Sequence, residues 1–416
     1  MTRLAAFVVL LSCAPANAQK DTAAPGYHPE RQVANATRMD WIFPNANQSP
    51  ARVPDGFLDG NYDSKQQTYE LYIPEDYDKK KSWPAVVYVS PSSRGNSFPK
   101  FSALCRESKA IFIAPQNVGN NVPMPQRIRI VMDALDDARR ILNIDPDRTY
   151  ITGFSGGGRV ACAIAYAVPE YFGGVMPLCA GGQLRQEVWL QQRVIDRLRV
   201  ALVTGETDFN RGEVERLTFT MLEGQGVSVR KRVVPKLGHG IPGTSTLKEA
   251  YQWLEEGVES RRRFAKSHPA SSLQDSPDRA EWAKLLLEEA RQRMRTKETL
   301  YSGLMQMKGI YTRWPDLPHA REALGILRRF ENDVESGWEE QDVANQRQTL
   351  IARARAVDAY GSGPLPKQYV AQRPAMLRAA VQLWQQVIQD GKDVKAVKEA
   401  KTRIPKLLEE VKNSGE

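Results

Sequence analysis

Nine residues constrain the fold of this chain more than any others: Tyr150-Ile151-Thr152-Gly153-Phe154-Ser155-Gly156-Gly157-Gly158. An apolar, β-prone run enters the stretch, and a small-residue run of helical character leaves it. The pattern Gly-x-Ser-x-Gly predicts a strand that turns into a helix so sharply that Ser155 sits in strained backbone. Glycines at 153 and 157 let strand and helix pass close without colliding β-carbons. The turn exposes the serine hydroxyl and aims the next N–H, from Gly156, at the place where an oxyanion would form. Ser155 as the helix cap of a phosphate-binding turn is the competing reading. The chain lacks Gly-x-Gly-x-x-Gly there and has no Walker sequence.

The surroundings of this turn read as alternating strands and helices. Thr68 to Ile73, Ala85 to Val89, Ala110 to Ala114, Thr149 to Thr152, Gly174 to Pro177, Arg199 to Thr204 and Val227 to Val234 are strand-like. Pro125 to Leu142 is a predicted helix, with Ile128, Val131, Leu135, Ala138 and Leu142 on one face. Asp133, Asp136 and Asp137 lie off that face, and Asn143 to Arg148 reads as a turn. Alternation of this kind predicts an α/β fold with a mainly parallel sheet and helices on both faces. The pattern changes near residue 258. Residues 259–278 read as a linker, and 279–416 as an all-α domain with no convincing strand. Helical periodicity covers Trp282 to Met294, Glu298 to Tyr311, Ala320 to Glu331, Met376 to Ile388 and the run from Val394. Two fragments at a 77-residue offset, from Ile310 and from Val387, resemble the helix pairs of tetratricopeptide-like repeats.

The expected organisation is therefore a leader at 1–18, a polar arm at 19–54, the α/β domain at 55–258, the linker and the helical domain. The leader has a basic start, an apolar run from Leu4 to Leu11 and Ala16-Asn17-Ala18 before Gln19, the form of a cleaved signal peptide. Export to the periplasm or the extracellular space follows from that reading. Leu10-Leu11-Ser12-Cys13 also resembles a lipobox, and lipidation at Cys13 is the route to a membrane. Three cysteines follow Ala18, at 105, 162 and 179, an odd number with no metal spacing. The formal charge of +9 comes from interspersed residues, with Arg261-Arg262-Arg263 a tight run in the predicted linker, and carries no nucleic-acid signature.

Histidine is scarce: His28, His239, His268 and His319 are the four. His239 alone follows the turn within the α/β region, in Leu237-Gly238-His239-Gly240 after the last strand. It is the expected general base for Ser155. The acid is expected after the preceding strand, where Asp208 is the first candidate and Glu206 the alternative. The second oxyanion donor should come from the loop after Val86–Val89, which reads Ser90-Pro91-Ser92-Ser93-Arg94-Gly95. Pro91 has no N–H, so Ser92 is the candidate, with Ser93 behind it. Asn117, Asn120 and Asn121 follow a strand at its C-terminal end, the edge where such sheets bind ligands.

Residues from about 55 to 257 resemble an α/β-hydrolase. The run from Asp145 to Gly158, with Asp-Pro-x-Arg before the turn, is similar to secreted esterases of the polyhydroxybutyrate depolymerase and feruloyl esterase type. The resemblance implies a Ser155–His239–Asp208 triad, an acyl-enzyme intermediate, no cofactor and no metal, and a small-molecule or polymer-linked ester as substrate. It does not cover the helical domain. Two other functions stay open. One is a serine exopeptidase of the prolyl oligopeptidase kind. The other is a catalytically weak scaffold whose helical domain binds a protein partner in the cell envelope.

Overall fold

The structure, a computed structural model, describes residues 24–39, 62–274 and 277–414. The predicted leader and Cys13 lie outside the described residues. In chain order the first part comprises β1 (Gly26–Gln32), β2 (Thr68–Ile73), β3 (Trp83–Val89), α1 (Phe98–Glu107), β4 (Ile111–Pro115), α2 (Met124–Ile141), β5 (Ile144–Phe154), α3 (Gly156–Ala167), β6 (Gly174–Leu178), α4 (Val188–Arg197), β7 (Arg199–Gly205), α5 (Thr220–Gly224), β8 (Ser228–Val234), α6 (Thr244–Glu255) and α7 (Val258–Ser267). A π-helical segment, Glu213–Phe219, leads into α5. Then follow α8 (Arg279–Arg293), α9 (Lys297–Arg313), α10 (Pro318–Phe330), α11 (Trp338–Ser362), α12 (Arg373–Asp390) and α13 (Val394–Ser414).

The eight strands form one sheet in the order β1-β2-β4-β3-β5-β6-β7-β8. The pairs β1–β2 and β2–β4 are antiparallel, and every later pair is parallel. Side chains alternate across a strand, and β3 shows the result. Ala85, Val87 and Val89 enter the core that holds the apolar faces of α2, α3 and α4. Val86 and Tyr88 enter the opposite core, beneath α1 and α6. The sheet is thus covered on both faces. Its open edges are β1 and β8, and β8 carries Arg230, Lys231 and Arg232 exposed on its outer stretch.

Four expectations need correction. The polar stretch read as an arm contributes β1, which pairs with β2 by backbone bonds that need no apolar pattern. The three aspartates placed off the apolar face of α2 are buried. They receive the segment after β1: Asp137 accepts from the Ala34 and Asn35 N–H groups, Asp133 from Thr37 N–H, and Asp136 from the Thr37 hydroxyl. Residues 143–148, read as a turn, mostly begin β5, with a register shift against β3 between Trp83 and Ala85. Finally, the predicted linker holds α7. Its Arg261 is buried and donates to Asp147 O, Leu254 O and the Tyr150 hydroxyl.

The helical part docks on the sheet's helix layer. Trp189 of α4, Trp282 of α8 and Trp314 after α9 belong to one continuous core with the strands. No gap in that core marks the predicted boundary. A separate core joins α11, α12 and α13. The fragments matched at the 77-residue offset form the hairpins α9–α10 and α12–α13, with Ala323 and Ala400 buried at corresponding places. Helix α11 was not foreseen. Its buried positions include Ala352, Ala354 and Ala356, which draw no apolar stripe in the sequence.

An ionic cluster lies in the seam between α4 and the helices beyond it. Arg193 donates to Glu170, to Glu289 at 2.5 Å, to Gln306 at 3.1 Å and to Ala270 O at 2.8 Å. Burial works against the Glu289 carboxylate, but Arg193 and Arg293 beside it outweigh that and hold its pKa below the ordinary value. Removing one member of such a cluster leaves uncompensated charge in the interior. Arg193→Ala should therefore lose about 3–5 kcal/mol of stability in equilibrium denaturant unfolding. Arg230→Ala, which removes an exposed contact to Glu249 at 3.4 Å, should lose less than about 0.5 kcal/mol in the same assay.

Candidate active site

Strand β5 ends at Phe154 and helix α3 begins at Gly156, so Ser155 alone makes the turn. Its φ of 53° and ψ of −122° lie in a region that L-residues rarely occupy. Three bonds hold it there. Ser155 N–H donates to Leu178 O at 2.8 Å, and Ser155 O accepts from Gly158 N–H at 2.9 Å and Arg159 N–H at 3.3 Å. Helix α3 passes so near β3 that a β-carbon on Gly157 would fall 2.0 Å from Val89 O. That approach is what the glycine at 157 permits.

The three residues expected to act together are brought together. His239 Nε2 lies 2.9 Å from Ser155 Oγ, and His239 Nδ1 lies 2.7 Å from Asp208 Oδ1. A carboxylate only accepts, so Nδ1 carries the proton and Nε2 presents its lone pair to the serine hydroxyl. Asp208 is buried, and its remaining lone pairs are satisfied by Asn210 N–H at 3.0 Å and the Thr204 hydroxyl at 2.6 Å. Glu206, the alternative acid, is exposed and accepts from the Lys236 N–H at 2.8 Å. It does not serve His239.

The His239 loop is fixed from several sides. Thr207 N–H donates to Leu237 O at 3.0 Å, tying the loop to the turn that carries Asp208. The Cys179 thiol donates to Gly240 O at 3.3 Å. The imidazole lies between two phenyl rings, with centroids 4.9 Å from Phe154 and 4.0 Å from Phe209. Sequence reasoning missed Phe209. Its position beside Asp208 was the available signal, and its ring is 53% exposed, unusual for a phenylalanine with no partner in a core.

The oxyanion side departs from expectation. Gly156 N–H follows the serine, as read. Ser92 N–H, however, donates to Ser90 Oγ at 3.0 Å, so the candidate donor is occupied within its own loop. Asn120 instead reaches the turn: a β-carbon on Gly156 would meet its Oδ1 at 2.0 Å and its Nδ2 at 3.0 Å. Asn120 is held from its backbone, with N–H donating to Pro91 O at 2.8 Å. A cleft of about 570 Å³ opens beside His239, between Tyr88 and Ser92 on one wall and Ile241 and Pro242 on the other.

Among the described residues, one group of three potential metal ligands converges: Cys179, Asp208 and His239. Each of the three already has a hydrogen-bond partner. Burial first, and then the neighbouring Asp208, push the Cys179 thiol up to about 12, and its S–H is already donated. Asp208 and His239 satisfy one another.

Sheet order, crossover pattern and a strained serine after β5 define an α/β-hydrolase fold. No protein-family model matches the chain, and no curated protein matches it. Solved structures do. A thermostable esterase is 24% identical with a TM-score of 0.35, over 46% of this chain and 59% of that one. An S-formylglutathione hydrolase from Staphylococcus aureus is 14% identical with a TM-score of 0.37, over 46% of this chain and 90% of its own. A ferulic acid esterase is 13% identical with a TM-score of 0.35, over 47% and 92%. The chain thus spans under two thirds of the thermostable esterase, and each of these overlaps takes in under half of this chain. No helix among the described residues is long and apolar enough to cross a membrane.

The cysteines give a direct check. Cys105, Cys162 and Cys179 are free and buried, and burial raises all three thiols, Cys162 to about 12. Thiolate is the reactive form. Native protein treated with iodoacetamide at pH 8 should carry no adduct at these positions, and denatured protein should carry one at each, read by peptide mass spectrometry.

Proposed function

We propose that this chain is an exported serine hydrolase that cleaves carboxylic esters through Ser155, His239 and Asp208. The observation that carries the reading is His239 standing between the other two, 2.9 Å from Ser155 Oγ and 2.7 Å from Asp208 Oδ1. Ser155 attacks the ester carbonyl carbon while His239 Nε2 takes its proton. Asp208 holds the imidazole in the tautomer that can do so, and stabilises the imidazolium formed. His239 then gives the proton to the leaving alcohol oxygen, and an acyl-Ser155 ester remains. Water, deprotonated by the same nitrogen, attacks that ester, and the nitrogen returns the proton to Ser155 Oγ as the bond to the acyl carbon breaks and the acid leaves.

Charge that gathers on the carbonyl oxygen needs two donors. Gly156 N–H is the first. The second, in this reading, is the Asn120 carboxamide, because Ser92 N–H is spent on Ser90 Oγ. A terminal amide turns readily about its last torsion, and an oxyanion selects the orientation that presents Nδ2.

The test uses a fluorophosphonate probe and 4-nitrophenyl butyrate. Wild type should be labelled and active. Ser155→Ala and His239→Ala should lose labelling, and Asp208→Asn should lose about 10⁴-fold in kcat. Asn120→Ala should keep the label but lose about 10²-fold in kcat. Absence of labelling on folded wild type would sink the proposal. The leader and the small residues before Gln19 support export. Protein made with its leader in a bacterial host should be recovered from the periplasm with an N-terminus at Gln19. A chain recovered with Cys13 at its N-terminus would show lipidation instead.

A further inference from the structure

A second cleft, of about 850 Å³, runs from Asp208 and Phe209 to residues 364–367, the connection between α11 and α12. Neither the triad nor its fold accounts for this cleft. One wall comes from the α/β part and the other from the helical part. Its charged lining holds four cations, Arg211, Arg216, Lys231 and Lys367, against three carboxylates, Glu206, Asp208 and Glu215. The carboxylates facing them are fewer. Glu215 pairs with Arg211 at 2.5 Å, Glu206 accepts from Lys236 N–H, and Asp208 is turned to His239.

The other three cations have no carboxylate within ion-pair distance among the described residues. Arg216 donates to Pro364 O, and its Nε is buried without an acceptor. The Lys231 ammonium stands 4.3 Å from the centroid of the Phe219 ring, and Lys367 is exposed. Unmatched positive charge around a concave wall raises the local concentration of anions. The wall is also braced: Arg373 donates to Gly361 O at 2.6 Å and Gly363 O at 2.9 Å, which fixes the start of the connection that carries Lys367.

The geometry of proton return says which part of a substrate lies there. The leaving oxygen must sit within hydrogen-bond reach of His239 Nε2. Phe209, whose ring centroid lies 4.0 Å from that of the imidazole, also lines this cleft and is the residue that joins it to His239. We propose that the cleft binds the alcohol portion of the substrate and selects alcohols that carry a carboxylate. This rests on the ester-hydrolase reading of Ser155. It gives the helical part a task at the active site, that of supplying one wall of the specificity pocket.

Two esters of one shape test this, 4-acetoxybenzoate and 4-acetoxybenzamide, which differ by one negative charge on the alcohol side. The wild-type ratio of kcat/KM, benzoate over benzamide, should be about ten. In the double variant Lys231→Ala, Lys367→Ala that ratio should fall to about two or below. Lys80→Ala, an exposed lysine on the far loop between β2 and β3, should keep the wild-type ratio, separating the pocket from the net charge of the chain. A wild-type ratio near one, or a ratio that survives the double variant, would overturn the proposal while hydrolysis itself continues. Failure to hydrolyse either ester, together with no fluorophosphonate labelling, would overturn the hydrolase reading beneath it.

Discussion

One residue carries the chain from β5 into α3, and its backbone angle is unfavourable. Ser155 holds a φ of 53° because the structure on every side over-determines it. The neighbouring strand β6 takes its N–H through Leu178 O, the first turn of α3 takes its carbonyl, and the close passage of Gly157 past Val89 O leaves no room to relax. Strain of this kind costs on the order of 1–3 kcal/mol and persists only where packing offsets it. The sheet therefore does more than display the hydroxyl. A single strand order places β6 where it can hold the turn, and places the ends of β7 and β8 where Asp208 and His239 converge on it.

Much of this was legible from residue types. The central strands from β3 to β7 were readable because buried strands leave short, nearly continuous apolar runs. Ser155 and His239 were readable because one has a steric signature and the other has few rivals. Asp208 and Glu206 could not be separated by residue type, and burial decides between them. What stayed hidden was structure made by polar atoms. Asp133, Asp136 and Asp137 look like a solvated stripe, yet they are the receptors for the backbone of residues 34–37. Nothing in their spacing tells an aspartate facing water from one facing an N–H group. The oxyanion side failed for a similar reason: Ser92 lies in the right loop, but a neighbouring hydroxyl claims its N–H.

The relation between the two parts of the chain turns on Arg193 and its carboxylates. A hydrophobic contact alone would tolerate sliding, since apolar burial has no direction. A buried guanidinium with fixed donors does not, because each acceptor has a definite place. Glu170 comes from the α/β part, and Glu289 and Gln306 from α8 and α9. Arg193 therefore fixes the orientation of those helices on α4. The second helical core, α11 to α13, lies beyond them, and the connection between α11 and α12 returns to the cleft behind Phe209.

The outer strand β8 has a consequence of another kind. It ends the sheet with one row of backbone groups that no strand among the described residues covers, and such a row is a template on which a second chain can grow. Arg230, Lys231 and Arg232 stand exposed along it. Charged side chains of this kind on an edge strand disfavour edge-to-edge pairing of two copies, even with Arg230 and Arg232 sharing Glu249. One lysine of that border, Lys231, also lines the cleft, so the residue that guards the sheet edge is shared with the concave surface beside it.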